Sequence, residues 1–185
     1  MTMAASRGRP MVANYAFTLV LNRDPSDDEL NDLFEAGCDD ATFGTEAGGF
    51  SIAEFDREAE TLADAIASAV RDVEKVPGFR AIRVADDDML TLADIATRVG
   101  RSRESIRRYA IGERGGGGFP APVNPTREGT QFYRWSEVAP WLRENMGMQI
   151  DLSYAALPMA NLVLQVRWHK ENVEHGSALT DLLAD

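Results

Sequence analysis

The hydrophobic period of this 185-residue chain changes near residue 86, and that change constrains the fold more than any other feature. Before this point, segments with larger apolar residues at every second position alternate with segments at spacings of three and four. After it, short helical segments and a glycine-rich loop follow. We therefore expect a structural unit on each side of a linker at residues 86–89.

Four segments before residue 86 have the pattern or composition of strands. In the first, larger apolar side chains at Tyr15, Phe17, Leu19 and Leu21 share one face. The second and third, 41–43 and 50–55, flank Gly48-Gly49 and predict a hairpin. The fourth covers residues 79–84.

Two helices are predicted between these strands. Ser26 with Glu29 forms a capping box at the start of the first helix, and Gly37 ends it. Its buried stripe is expected at Leu30, Leu33 and Phe34. The second helix covers 61–76 and ends at Pro77-Gly78. The order β-α-β-β-α-β predicts a ferredoxin-like α+β domain at 12–85, with a four-stranded antiparallel sheet and two helices on one face.

The flanks of this domain lack hydrophobic periodicity. Residues 1–11 contain Arg7, Arg9 and Pro10 among small residues, and we expect a flexible arm. Asp86 to Asp88 lack the spacing of a cation-binding loop, so we expect a solvated linker at 86–89.

Charge is distributed unevenly along the chain. The whole sequence carries a net charge of −11, yet residues 98–134 hold eight arginines and three acids, a local net charge of +5. The remainder therefore sums to −16. This segregation predicts that the arginine-rich segment meets an anion while the rest of the protein repels it.

The arginine-rich segment contains the pattern of two short helices joined by a tight turn. Thr91 and Asp94 form a second capping box, Gly100 provides the turn, and Ser102 caps a helix at 102–110. Inward positions are Ile106, Tyr109 and Ala110; the opposite face presents Arg103, Glu104 and Arg107, flanked by Ser105 and Arg108. A helix of this kind fits the DNA major groove, where arginine bonds guanine, and Ser102 at its amino end suits a phosphate.

Residues 119–134 predict a wing beside these helices. Phe119 to Val123 and Gln131 to Trp135 are interpreted as a β-ribbon whose tip carries Arg127 to the phosphate backbone. Ser136 is expected to cap a following helix, in which Val138, Trp141 and Leu142 close the core of a winged helix-turn-helix domain at 90–147. The aromatic residues Tyr109, Phe119, Trp135 and Trp141 are interpreted as core rather than as platforms for base stacking.

These motifs resemble a known family. The segments LTLADIA at 90–96, GRSRESIRR at 100–108, FPAPV at 119–123, and YRWSEV at 133–138 with Trp141-Leu142 are similar to the winged helix-turn-helix of AlpA-type phage regulators and excisionases, related to the MerR DNA-binding head. The first domain also resembles the amino-terminal part of uncharacterised actinobacterial helix-turn-helix proteins.

The resemblance implies a sequence-specific double-stranded DNA-binding transcriptional regulator or an excisionase-like recombination factor. Helix 102–110 is then expected in the major groove and the wing 119–134 on the backbone. The expected DNA-binding residues are Arg101, Ser102, Arg103, Glu104, Ser105, Arg107, Arg108, Arg114, Arg127 and Arg134.

The carboxyl-terminal segment 148–185 contains a predicted long helix at 152–169. Its apolar side chains exceed what a small winged domain can cover, and one DNA-binding helix buries little DNA surface. We therefore expect a homodimer that uses this helix, the sheet of the first domain, or both.

Other classes of function are disfavoured or left as alternatives. Cys38 is the only cysteine and His169 and His175 are the only histidines, so we expect neither a metal site nor a cofactor. No constellation suggests an enzyme. With no apolar run of membrane-spanning length, a cytoplasmic protein is expected.

Two alternatives to a DNA-binding regulator remain. One is an antitoxin-like or phage-defence protein whose acidic domain binds a protein partner. The other is a protein whose arginine face is solvated and has no nucleic-acid partner.

Overall fold

The computed structural model describes residues 12–85, 88–124, 129–150, 155–170 and 173–184. The described chain is mixed α+β, with seven α-helices, a four-stranded antiparallel sheet and a two-stranded sheet. It divides into two compact units: residues 1–85 with 159–185, and residues 86–158. Within the described ranges, no helix has the length and apolar character needed to cross a bilayer.

The strands of the first unit are β1 (Ala13–Leu21), β2 (Ala41–Glu46), β3 (Phe50–Ala59) and β4 (Ala81–Ala85). They form one sheet in the order β2-β3-β1-β4, with every neighbour antiparallel. The cross-strand pairs Phe17↔Phe55 and Leu19↔Ala53 place apolar residues on one face. The four predicted strands are confirmed. The second and third are longer than expected, and the fourth begins at Ala81 instead of residue 79.

Two helices connect these strands, α1 (Asp27–Ala36) and α2 (Leu62–Lys75). The Ser26–Glu29 capping box and the left-handed Gly37 at the end of α1 are confirmed. The predicted buried stripe of α1 is wrong in part. Leu33 is fully buried, whereas Leu30 and Phe34 are exposed, because α1 offers a single narrow line of contact to its unit. On α2 the predicted apolar face is buried, at Ala65, Ile66, Ala69, Val70 and Val73.

A buried arginine ties three segments of the first unit together. The side chain of Arg57 on β3 is 8% exposed and donates to both carboxylate oxygens of Asp40, at 2.7 and 2.8 Å. It also donates to Asp72 of α2 at 2.8 Å and to the carbonyl oxygen of Gly37 at 2.6 Å. One cation therefore joins β3, α2 and the loop after α1.

The second unit is built around one small core. Its elements are β5 Met89–Leu90, α3 Leu92–Arg98, α4 Arg103–Ala110, β6 Tyr133–Arg134 and α5 Trp135–Met146. Tyr109, Trp135 and Trp141 are buried in this core, and Phe119 packs against it. Phe119 meets the rings of Tyr133 and Trp141 edge-on, with centroids 5.7 and 5.0 Å away. The prediction that these aromatic residues form a core is confirmed.

The predicted solvated linker at 86–89 is wrong where the structure describes it. Asp88 is buried, and Met89 already belongs to β5. The carbonyl oxygen of Asp88 accepts the N–H of Trp135 at 2.6 Å, and its carboxylate accepts the N–H of Ser136 at 2.7 Å. Helix α5 consequently begins at Trp135 instead of after a Ser136 cap, because the cap is supplied from a distant part of the chain. Asp86 and Asp87 lie outside the described residues, as does the predicted arm at 1–11.

The carboxyl-terminal segment contains α6 (Ala156–His169), α7 (Ser177–Thr180) and a 3-10 helix at Asp181–Leu183. The predicted helix at 152–169 is confirmed from residue 156 onward; its first residues lie outside the described ranges. Leu164 is its buried residue, and Arg167 forms an ion pair with Glu74 of α2. Met159, Leu162, Val163 and Val166 are exposed.

Candidate nucleic-acid interface

Both short helices of the second unit begin at the predicted caps. The hydroxyl of Thr91 accepts the N–H of Asp94 at 3.2 Å, and the Asp94 carboxylate accepts the N–H of Thr91 at 2.9 Å. At the start of α4, the hydroxyl of Ser102 accepts the N–H of Ser105 at 3.2 Å. These caps satisfy backbone donors that a helix cannot satisfy itself, so they set where each helix begins.

The turn between α3 and α4 depends on Gly100, whose φ of +62° lies in the left-handed region. Most other residues adopt this conformation only with strain. The N–H of Gly100 bonds the carbonyl oxygen of Thr97 at 3.2 Å, and the N–H of Arg101 bonds that of Ala96 at 2.8 Å. The chain thus leaves α3 and starts α4 within a few residues.

Helix α4 has one apolar and one charged face. Ile106 and Tyr109 are buried, the first completely. Arg103, Glu104, Arg107 and Arg108 are all exposed, and Ser105 lies between the two faces. Because Ile106 and Tyr109 anchor α4 to the core, the four charged side chains face solvent together.

The charged face of α4 is internally paired. Glu104 accepts two hydrogen bonds from Arg107, at 2.9 and 3.1 Å, and one from Arg108 at 3.4 Å. The hydrogen bond from Arg107 is the main cause of a lowered pKa at Glu104, and the same bond raises the pKa of Arg107. Glu104 is therefore ionised at neutral pH, and it offsets part of the positive charge around it.

The other predicted DNA-binding residues differ in position. Arg101 and Arg114 are exposed, and the backbone N–H of Arg114 bonds the carbonyl oxygen of Arg108 at 3.2 Å, just beyond α4. Arg134 is only 35% exposed, and its Nη1 lies 3.2 Å from the buried Asp88 carboxylate. Arg134 therefore has a role in the fold that the sequence does not indicate. Arg127 lies outside the described residues.

The strand assignment of the predicted wing at 119–134 is wrong. Among the described residues of this range, only Tyr133–Arg134 forms a strand, and it pairs with Met89–Leu90 instead of with 119–123. Pro120 and Pro122 explain this result, because neither has an N–H to donate to a ladder. Trp135, assigned to the same ribbon, begins α5.

A loop closed by Asn124 takes the place of that ladder. The N–H of Val123 bonds the carbonyl oxygen of Phe132 at 2.8 Å. The side chain of Asn124 donates to the carbonyl oxygen of Thr130 at 2.9 Å and accepts the N–H of Phe132 at 2.8 Å. The two arms of the loop are therefore held together although they form no strands.

The loop also lies next to the beginning of α4. Arg103 lines an open cleft together with the first residues of α3, Thr91 to Ala93, and the second arm of the loop, 129–131. This cleft brings Arg103, at the start of α4, and the loop onto one surface of the second unit.

A glycine-rich segment connects α4 to this loop. Gly115 to Gly118 all have positive φ, between +70° and +83°. The indole N–H of Trp141 bonds the carbonyl oxygen of Gly117 at 3.1 Å, and a Cβ on Gly115 would lie 2.5 Å from the Trp141 ring. The glycines thus let the backbone pass directly over a core tryptophan.

Two contacts of the second unit, one made by Glu104 and one by Arg98, are not predicted from the sequence. Glu104 is an ion-pair centre, and its spacing of three and four residues from Arg107 and Arg108 is a signal that could have indicated it. Arg98 lies with its guanidinium carbon 5.1 Å from the centre of the Trp135 ring. No local signal indicates that contact, because the two residues are far apart in sequence.

Comparison with family profiles, with curated proteins and with solved structures finds no match for this chain.

Proposed function

We propose that this protein is a sequence-specific double-stranded DNA-binding regulator that places α4 in the major groove. The observation that carries this proposal is the two-faced character of α4. Ile106 and Tyr109 anchor it to the core, while Arg103, Arg107 and Arg108 face solvent. These exposed arginines stand out in a chain whose net charge is −11. Arginines on an exposed helix fit both the phosphates and the guanine edges of DNA.

The surroundings of α4 support a winged helix-turn-helix arrangement. The Gly100 turn joins α3 to α4, and the Asn124-closed loop beside Arg103 is suitably placed to reach the sugar-phosphate backbone. In this proposal Ser102, at the amino end of α4, and Arg101 contact phosphates, and Arg127, which lies outside the described residues, is also expected to contact the phosphate backbone.

For the first unit we propose a ferredoxin-like domain that serves assembly. Its element order and its strand order β2-β3-β1-β4 support that assignment. The exposed apolar residues Met159, Leu162 and Val163 of α6 support contact with a second copy, which would present two α4 helices to two half-sites.

Selection of bound sequences from a random duplex pool, at stated salt, tests the proposed function. We expect an enriched motif, and we expect Arg103→Ala and Arg107→Ala each to weaken binding to it by about 1–3 kcal/mol with relaxed base preference. Arg127→Ala is expected to weaken all sequences alike. Arg71→Ala, an exposed arginine on α2, is the matched control and should leave binding unchanged.

Two results would contradict the proposal. The first is a wild-type protein that enriches no motif and binds duplexes no better than the Arg103→Ala, Arg107→Ala double variant. The second is an equal loss in the Arg71→Ala control.

Sedimentation of the wild type and of Leu162→Asp tests the dimer separately, since an exposed carboxylate on α6 should dissociate it. Copurification with a product of a neighbouring gene would instead favour the antitoxin-like alternative.

A further inference from the structure

The exposed face of α4 contains an acid, Glu104, that pairs with two of the arginines proposed to contact DNA. The carboxylate of Glu104 bonds Nε and Nη2 of Arg107 at 2.9 and 3.1 Å, and it reaches Nε of Arg108 at 3.4 Å. Glu113 lies 3.8 Å from the same Nε of Arg108, but it makes no ion pair with Arg107 among those found in the described residues. Glu104 is therefore the acid through which both arginines are linked.

This pairing does little for stability. The side chains of Arg107, Arg108 and Glu104 are 46%, 44% and 54% exposed, and solvent screens ion pairs of this kind on a helix surface. Its consequence is geometric. With Nε and Nη2 of Arg107 facing Glu104, the guanidinium presents its other edge, Nη1 and Nη2, to an incoming acceptor pair. That edge matches the O6 and N7 acceptors of guanine.

Glu104 also lowers the affinity of α4 for the phosphates of DNA. The outward residues Arg103, Glu104, Arg107 and Arg108 have a formal net charge of +2, which becomes +3 when Glu104 is replaced by glutamine. Affinity for DNA of any sequence follows the number of phosphates that cations neutralise. The carboxylate therefore weakens sequence-independent binding, while it leaves Arg107 able to bond a base.

We propose that Glu104 determines specificity by holding Arg107 for bidentate bonding to one guanine and by opposing binding to other sequences. This inference rests on the proposed function. Glu104 is a positioning residue in this scheme: Arg107 contacts the base, and Glu104 sets which edge of Arg107 is available.

The test compares wild type, Glu104→Gln and Glu113→Gln on the selected duplex and on a scrambled duplex over a salt series. Glu113→Gln is the matched control, because it removes one acid of the same charge from the same surface, and that acid pairs with Arg108 and forms no ion pair with Arg107 among those found in the described residues. For Glu104→Gln at about 100 mM salt we expect binding to the scrambled duplex to tighten about fivefold to tenfold, with a steeper salt dependence. The ratio of selected to scrambled affinity should fall by about tenfold or more, whereas Glu113→Gln should keep the wild-type ratio.

A base-by-base readout separates positioning from general charge. Each position of the selected duplex is substituted in turn, and Glu104→Gln should lose discrimination most at the guanine where Arg107→Ala loses it. In an Arg107→Ala background, adding Glu104→Gln should produce no further loss at that position. Both expectations follow only if Glu104 acts through Arg107.

The outcomes distinguish the two proposals. If wild type selects a motif but Glu104→Gln keeps the wild-type affinity ratio, or loses discrimination equally at all positions, the role of Glu104 is refuted and DNA binding stands. If wild type selects no motif, the proposed function itself is refuted. Circular dichroism of each variant confirms that the exposed substitutions leave the fold intact.

Discussion

The carboxylate of Asp88 accepts the backbone N–H of Ser136 at 2.7 Å, across 48 residues of sequence. The same side chain accepts the Ser136 hydroxyl at 3.2 Å and faces Arg134 at 3.2 Å. Because the carbonyl oxygen of Asp88 also accepts the N–H of Trp135, this one residue satisfies the first donors of α5 and fixes β5 beside β6.

Replacing Asp88 by alanine should destabilise the second unit by about 2–3 kcal/mol, because the buried donors lose their acceptor. Asp88→Asn retains a carbonyl oxygen for the N–H of Ser136 and should lose about half as much. Urea unfolding followed by tryptophan fluorescence measures both, since Trp135 and Trp141 lie in this core. Equal stability of Asp88→Ala and wild type would show that α5 does not depend on this cap.

The stability of the first unit should depend in a comparable way on Arg57. Its removal leaves the carboxylates of Asp40 and Asp72, only 27% and 19% exposed, without their shared cation. We expect Arg57→Ala to cost about 3 kcal/mol, near the lower end for breaking a buried ion pair, because water reaches both acids. Arg57→Lys keeps the charge but cannot bond Asp40 and Asp72 in the same fork geometry, and its loss should be intermediate.

Urea unfolding followed by far-ultraviolet circular dichroism tests this order. Arg83→Ala, at an exposed arginine on β4 of the same sheet, is the control for loss of a positive charge. A loss for Arg57→Ala no larger than that for Arg83→Ala would contradict a structural role for the buried arginine.

The sequence predicts those parts of this fold that depend on neighbouring residues. The capping boxes at Ser26 and Thr91, the cap at Ser102 and the turn at Gly100 each involve residues within a few positions of one another, and all are confirmed. The two faces of α4 follow from helical spacing in the same way.

The parts that the sequence does not predict depend on distant partners. Asp88 looks like one of three solvated acids until the fold brings Ser136 to it. Arg57 lies beyond the predicted strand at 50–55, and no neighbouring residue indicates that Asp40 and Asp72 pair with it. The segment 131–135 is rich in aromatic residues, as strands are, yet only Tyr133–Arg134 pairs, because the prolines at 120 and 122 remove donors from its expected partner.

The stability of the first unit should depend on pH through Glu29. Hydrogen bonds from Arg23, at 2.6 and 2.9 Å, and then from the Ser26 N–H lower the pKa of Glu29 from 4.5 to about 2. A carboxylate with a lowered folded-state pKa stabilises the fold fully above the unfolded value, and this contribution is lost as pH falls from about 4.5 to about 2. Thermal unfolding between pH 2 and 7 measures the loss.

Glu29→Gln should be less stable than wild type at pH 7, and the two unfolding temperatures should converge near pH 2. Glu35→Gln, on the same helix, gives the baseline for an exposed glutamate. Parallel curves for wild type and Glu29→Gln across this range would show that the Arg23 contact does not persist in solution.

The close approach of the glycine-rich segment to Trp141 predicts a difference between two neighbouring substitutions. Gly115 and Gly116 have φ values of +79° and +75°, so alanine meets the same backbone strain at either position. A Cβ at Gly116 meets nothing within 4 Å, whereas one at Gly115 lies 2.5 Å from the Trp141 ring. The indole cannot move away freely, because it is buried and its N–H bonds the carbonyl oxygen of Gly117.

We therefore expect Gly116→Ala to reduce the free energy of unfolding by about 1 kcal/mol from strain alone. Gly115→Ala should cost about 1–3 kcal/mol more from overpacking, and urea unfolding with tryptophan fluorescence measures both losses. Equal losses would mean that the segment leaves Trp141 in solution, and the path from α4 to the Asn124-closed loop would then not be held by the core.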